Sequence, residues 1–226
     1  MTDLILQQQT SIAFFRAQRF PAQLNQILTA SCNVSFPQCS SLMSKLARQI
    51  QDPSTCSADY AKQNPLVMHA YTGLIAYDPI YHAGCLQRKS NNTSPSSSST
   101  GNTTATTNSP YCFVDAASNP STYQDNYNYY LPLGSQLPPE TTPTCSQCSQ
   151  DTLAIFAQAA SNKSQPLSGT YNPAAKLIDA KCGSGFVKAD VQVSSSSSSA
   201  AGVGGAGLGS WGATVALGVV LWNLII

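Results

Sequence analysis

Charge is scarce in this 226-residue chain: Asp, Glu, Lys and Arg together make up 9% of it, and the formal net charge is +1. Such a chain has neither the basic field that binds nucleic acid nor an acidic one, so no nucleic-acid partner is expected. Glutamate occurs once, as Glu140, and histidine twice, as His69 and His82. Glycoside hydrolysis needs two carboxylates flanking a sugar bond; the single glutamate lies in a proline-rich loop, and nothing singles out a pair of aspartates. G-x-S-x-G is missing too. Gly183-Ser184-Gly185 has the wrong spacing and follows a predicted helix, so it reads as a turn. The chain is therefore read as a non-enzyme with no catalytic residue and no cofactor.

Two further absences narrow the class. No stretch alternates polar and apolar residues for any length, which excludes a sheet protein. Residues 1–30 carry no secretion signal, because the apolar run Leu4–Leu6 is short and Gln7–Gln9 break it. His69 and His82 fall on separate predicted helices, so no metal site is assigned.

Cysteine, by contrast, is abundant. Cys32, Cys39, Cys56, Cys85, Cys112, Cys145, Cys148 and Cys182 are even in number and spread along the chain. That pattern predicts four disulfides formed in an oxidising compartment, with connectivity open among about a hundred pairings. Cys145-x-x-Cys148 lacks the second pair that a zinc site wants and the preceding strand that a thioredoxin motif wants. It reads as two structural disulfides leaving one helical face. Five N-x-[ST] triplets, at Asn33, Asn91, Asn92, Asn102 and Asn162, are N-glycosylation acceptors in that compartment.

The C-terminus fits the same address. After Asp190 come a serine run, Ser194 to Ser199, small residues to Ser210, and the apolar end WGATVALGVVLWNLII, residues 211–226. Small residues, a spacer and a terminal hydrophobic stretch make a glycosylphosphatidylinositol (GPI) attachment signal, with Ser199 as the expected attachment residue. The rival reading is a C-terminal tail anchor. Since a lipid-anchored protein must be exported, the chain is expected to begin inside a longer precursor.

Periodicity predicts helices over residues 3–30 (Ile5, Ile12, Phe15, Leu24, Ile27, Leu28, with a break at Pro21) and after an S-x-x-Q capping box at Ser35 and Gln38. The second helix carries a stripe of Cys39, Leu42, Met43, Leu46 and Ile50, with Cys39 inward. Asn64-Pro65 opens a third, buried through Val67, Ala70, Tyr71 and Leu74, and Asp78-Pro79 a fourth. Tyr111 to Asn119 reads as a short helix, and residues 121–143 as irregular. Thr144 and Gln147 form a second box whose helix places Cys145, Cys148, Thr152, Ile155 and Ala159 on one side. Asn172-Pro173 opens the last helix, closed by Gly183. The expected fold is all-α: a disulfide-bonded helical domain of five or six helices, with a disordered Ser/Thr-rich insert and a hydrophobic tail. Its parts are a helical section over 1–86, a glycosylated insert over 87–110, the rest of the ectodomain over 111–190, a stalk over 191–210 and the tail over 211–226.

Tyr123, Tyr127, Tyr129 and Tyr130 form an aromatic cluster. Tyr123 and Tyr127 are candidate contacts for a glycan such as cell-wall polysaccharide; the alternative is that Tyr129, Tyr130, Leu131 and Leu133 pack this stretch onto the helices.

The ordered series SFPQCS (35–40), NPLVMHAYTGLIAYDPIYHAGC (64–85), NYYLPLGSQLP (128–138), PTCSQC (143–148) and TYNPAAKLIDAKCGSGFV (170–187) resembles an uncharacterised family of fungal GPI-anchored surface proteins. The resemblance implies a secretion signal upstream and no established activity. Fungal haem-binding domains with eight cysteines are less similar, since they hold them in a far shorter stretch. The reading that results is a non-catalytic surface glycoprotein, structural or adhesive, attached to the membrane by a lipid. A ligand-binding protein for a glycan, lipid or metal is the alternative, and an extracellular enzyme the third.

Overall fold

In the computed structural model, residues 16–88 and 110–194 are described, and all of them fall in one contact unit. Asn91, Asn92, Asn102, Ser199, the hydrophobic end and the start of the first predicted helix lie outside these residues. Among the described residues there are eight complete α-helices, a helical turn at 16–18 that precedes them, one 3-10 helix and no strand. None of these helices is long and apolar enough to cross a membrane.

Helix α1 (Pro21–Cys32) begins at the predicted break, with proline in its first turn, where a missing N–H costs nothing. It buries Leu24 and Leu28 against Tyr111 and Val114. Helix α2 (Phe36–Ile50) departs from the expected pattern. Ser35 occupies the N-cap position without a side-chain cap bond, and Ala47 is the only fully buried residue of the helix. Leu42 and Leu46 are exposed and Cys39 is half-buried, so the apolar stripe is not the buried face. After the short α3 (Ser57–Ala61), α4 (Pro65–Ile75) starts as its sequence requires, the Asn64 side chain accepting the Leu66 N–H at 3.1 Å. Its predicted inner face is only half-buried, and Ala70 is exposed. Helices α2 and α4 pack mainly on each other, at the edge of the molecule. Helix α5 (Tyr77–Gly84) starts a residue before Asp78-Pro79 and buries Pro79 and Ala83.

The ends of the expected insert meet. Arg88 N–H donates to Pro110 O at 2.8 Å and Cys112 N–H to Leu86 O at 2.9 Å, making an isolated antiparallel bridge between Gln87 and Tyr111. Helix α6 (Cys112–Ser118) follows where a short helix is expected.

Residues Tyr123–Leu133, expected to be irregular, form a 3-10 helix. Runs beyond three or four residues are uncommon in that conformation, and side chains three apart explain this one. They eclipse, which lines up Asp125, Asn128 and Leu131, all buried. Asp125 accepts the Thr144 N–H at 3.0 Å and also the Thr144 hydroxyl. Asn128 donates to Ser149 Oγ at 3.4 Å, and the Thr170 hydroxyl donates to Leu131 O at 2.8 Å. Gly134, at φ +88°, stops the helix in the left-handed conformation that glycine tolerates.

The core is built by α7 (Gln147–Ala160) and α8 (Leu167–Cys182), with Leu131 from the 3-10 helix. Leu153, Phe156, Leu167, Tyr171, Ala175 and Ile178 are fully enclosed. Helix α7 is capped by Ser146, whose side chain accepts the Ser149 N–H, and not by Thr144, which Asp125 has claimed. Helix α8 starts earlier than expected and carries Pro173 inside it. Asn172 therefore does not cap the helix. Gly183, at φ +105°, closes it as predicted.

Three disulfides tie these elements together: Cys32–Cys85, Cys112–Cys148 and Cys145–Cys182. They span 53, 36 and 37 residues, for which loop entropy gives about 4 kcal/mol each. The expected fourth bridge is corrected: Cys39 and Cys56 are free. Cys39 lies in the first turn of α2, about 16 Å of helix from Ile50. The hydroxyl of Thr55 bonds Gln49 O, which holds Cys56 beside the last turn. Disulfide Cα atoms lie within about 7 Å of one another.

Candidate functional site

Past Gly183 the chain turns back along the helices. The Asp179 carboxylate holds that turn, accepting the Val187 N–H at 2.9 Å and the Gly185 N–H at 3.3 Å. Burial then alternates: Val187, Ala189 and Val191 face inward, Lys188, Asp190 and Gln192 outward. That period marks extended backbone. Asn172 treats it as a strand neighbour would, its Oδ1 accepting the Val191 N–H at 3.0 Å and its Nδ2 donating to Val191 O at 2.9 Å.

Between this segment and α7 lies an open slot of about 880 Å³. Ala154, Ala157, Val187 and Val191 floor it; Gln158 and Gln192 stand at its rim. Both ends are pinned. Gln150 Nε2 donates to Phe186 O at 2.8 Å, and Ser194 N–H donates to Ser161 O at 2.8 Å, where Asn162 and Ser194 form a parallel bridge. The charges nearby are mixed: Asp151, Lys188 and Asp190, the last 3.7 Å from Lys176. A smaller hollow, about 390 Å³, lies beside the Cys112–Cys148 bridge, lined by Arg88, Asp115 and Asp151. Its groups are engaged: Arg88 lies 3.6 Å from Asp115, and Asp151 accepts Gln147 Nε2 at 2.7 Å.

Beneath that hollow is a buried polar cluster. Burial pushes the Asp125 carboxyl above the usual range, and the charge of Asp115 adds to this against the two bonds from Thr144. Tyr129 packs edge-on against Phe113 at 4.7 Å and Phe156 at 6.3 Å, and its hydroxyl meets Thr152 Oγ1 at 3.2 Å. Burial also pushes the phenol of Tyr171 up to about 12, with Asp179 adding to the effect.

Of the candidate glycan contacts, Tyr123 and Tyr127 are both exposed. Four residues apart on a helix of three per turn, they point about 120° away from each other and form no single platform. Tyr129 and Leu131 pack inward, whereas Leu133 is 40% exposed. Cys145 and Cys148 form two bridges to different partners, but not from one helical face: Cys148 lies in the first turn of α7, whereas Cys145 precedes its N-cap at φ +52°. His69 and His82 are exposed; the ring of His82 lies 4.5 Å from Phe36. No group of three or more His, Cys, Asp or Glu that could hold a metal occurs among the described residues. Asn33 is exposed, at the end of α1. Asn162 is half-buried, its Oδ1 accepting both the N–H and the hydroxyl of Ser164, the residue that completes its triplet.

The slot is absent from the sequence reading. One signal would have found it: V-x-A-x-V over 187–191, an alternation too short to stand out.

These features define a class, an all-helical domain knit by disulfides, with an extended segment after α8 strapped across its main helices. More particularly, the chain belongs to the family described as "Domain of unknown function (DUF7729)", whose model matches residues 3–191. No curated protein and no solved structure matches it.

Proposed function

We propose that this is an exported surface glycoprotein of fungal origin, non-catalytic, attached by a GPI lipid to the outer face of the plasma membrane or the cell wall, with a structural or adhesive role. The observation that carries this is the disulfide set. Three bridges join cysteines far apart in the chain, and such bridges are rare outside oxidising compartments. The exposure of Asn33 supports glycan attachment there; Asn162, half-buried and bonded to Ser164, is the other proposed acceptor among the described residues. The small-residue spacer and apolar end of the sequence supply the anchor signal, with attachment at Ser199. Cell-wall polysaccharide is the proposed partner, reached through the outward rings of Tyr123 and Tyr127.

Treating intact cells with phosphatidylinositol-specific phospholipase C tests the anchor. The reading expects release of the protein into the medium in a glycosidase-sensitive form. Retention on the membrane after treatment, with extraction only by detergent, would favour a spanning tail instead.

A further inference from the structure

We propose that the slot between α7 and residues 186–194 docks an extended, uncharged polypeptide segment of a partner protein, which adds to the chain's own extended segment as a β-strand adds to a sheet edge.

Parity along the backbone carries the argument. In extended chain, main-chain groups of alternate residues point to opposite edges. Odd residues here serve the α8 side: Val187 N–H goes to Asp179, and both main-chain groups of Val191 go to Asn172. Even residues serve the α7 side: Phe186 O accepts from Gln150, and Ser194 N–H donates to Ser161 O. Lys188, Asp190 and Gln192 lie between those two pins and share their parity. Their N–H and C=O groups have no main-chain or side-chain partner among the described residues. Three rungs of an open ladder thus face a cavity of about 880 Å³. An unpaired edge of that kind is a template for another strand.

The walls select the occupant. Across the slot α7 presents Ala154 and Ala157, which leave room for a guest's side chains over an apolar floor. Asp151 and Asp190 are offset by Lys188 and by Lys176, which lies 3.7 Å from Asp190, so neither an anionic nor a cationic guest is drawn in. A polysaccharide fits less well. The one aromatic ring on the slot, Phe186, is partly buried against the core and offers no open stacking face. A peptide, by contrast, satisfies the three rungs with its main chain alone. The segment from 186 to 194 runs about 26 Å, which suits a guest of five to seven residues. This inference does not depend on the lipid anchor.

Panning a display library of random seven-residue peptides against the detergent-solubilised, oxidised full chain tests it. The expected result is enrichment of uncharged peptides whose binding is abolished by Ala154→Arg, which fills the slot. Gln192→Pro, which removes one rung's N–H, should weaken those peptides at least tenfold, and Gln192→Ala, which keeps the rung, by less than threefold. Hydrogen exchange at Lys188, Asp190 and Gln192 should slow when peptide is bound; should Gln192→Pro melt early, that protection decides instead. The proposal is overturned if no peptide is enriched over the Ala154→Arg control, if bound peptide leaves the three amides exchanging as before, or if a soluble β-glucan displaces the peptides and Gln192→Ala alone abolishes binding.

Discussion

Asp125 sits 5% exposed where the 3-10 helix meets the approach to α7, and its two bonds from Thr144 account for several local departures from expectation. Thr144 and Gln147 read as a capping box, yet the carboxylate takes Thr144, and Ser146 caps the helix instead. Propensity is a local quantity and could not register a competitor 19 residues upstream. The same carboxylate has a pH signature. Its folded-state pKa is raised by burial, so the native protein holds the proton longer than the unfolded chain does. This group's contribution is therefore most favourable at low pH, and is lost as pH rises from the unfolded value toward the folded one. Asp125→Asn keeps an acceptor for the Thr144 N–H and removes the titration. Thermal melting should show the variant gaining on the wild type between pH 3 and pH 7. An unchanged difference across that range would mean that Asp125 ionises freely in the fold.

At the scale of elements, the boundaries that could be read are those with a local cause. Pro21 starts α1, Asn64 caps α4 and Gly183 ends α8, each through its own backbone or side chain. What could not be read are faces and alignments. The stripe on α2 is regular, but α2 lies at the edge against α4, so Leu42 and Leu46 stay exposed. Tyr123–Leu133 is rich in Pro, Asn and Tyr, and it is helical only because Asp125, Asn128 and Leu131 each find a distant partner. Between Arg88 and Pro110 the case is simpler, because the neck is closed by its own main-chain bonds. Replacing residues 89–109 by a four-residue Gly-Ser turn should therefore preserve the fold. The shorter loop should raise stability by about 1 kcal/mol in urea titration. A loss of more than about 2 kcal/mol would show that the stretch does more than connect.

At the scale of the whole molecule, the helical class was legible because helical periodicity and the lack of alternation agree along most of the chain. Pairing was not. Cysteine spacing carries no information on connectivity, and an even count invited a fourth bridge that α2 forbids by its length. The slot was hidden for a related reason, since it exists only where Asn172 and Asp179 strap a later segment beside α7. The straps and two of the three bridges gather on α7 and α8, where most of the core lies, and the α2–α4 layer has little core of its own.

Differential alkylation of the protein taken from its own cells tests export and fold together. Thiols are blocked before reduction, and the bridged peptides are then mapped by mass spectrometry. The account predicts that Cys39 and Cys56 alone are blocked, with linked peptides joining Cys32 to Cys85, Cys112 to Cys148 and Cys145 to Cys182. Blocking of all eight cysteines without reduction would contradict it.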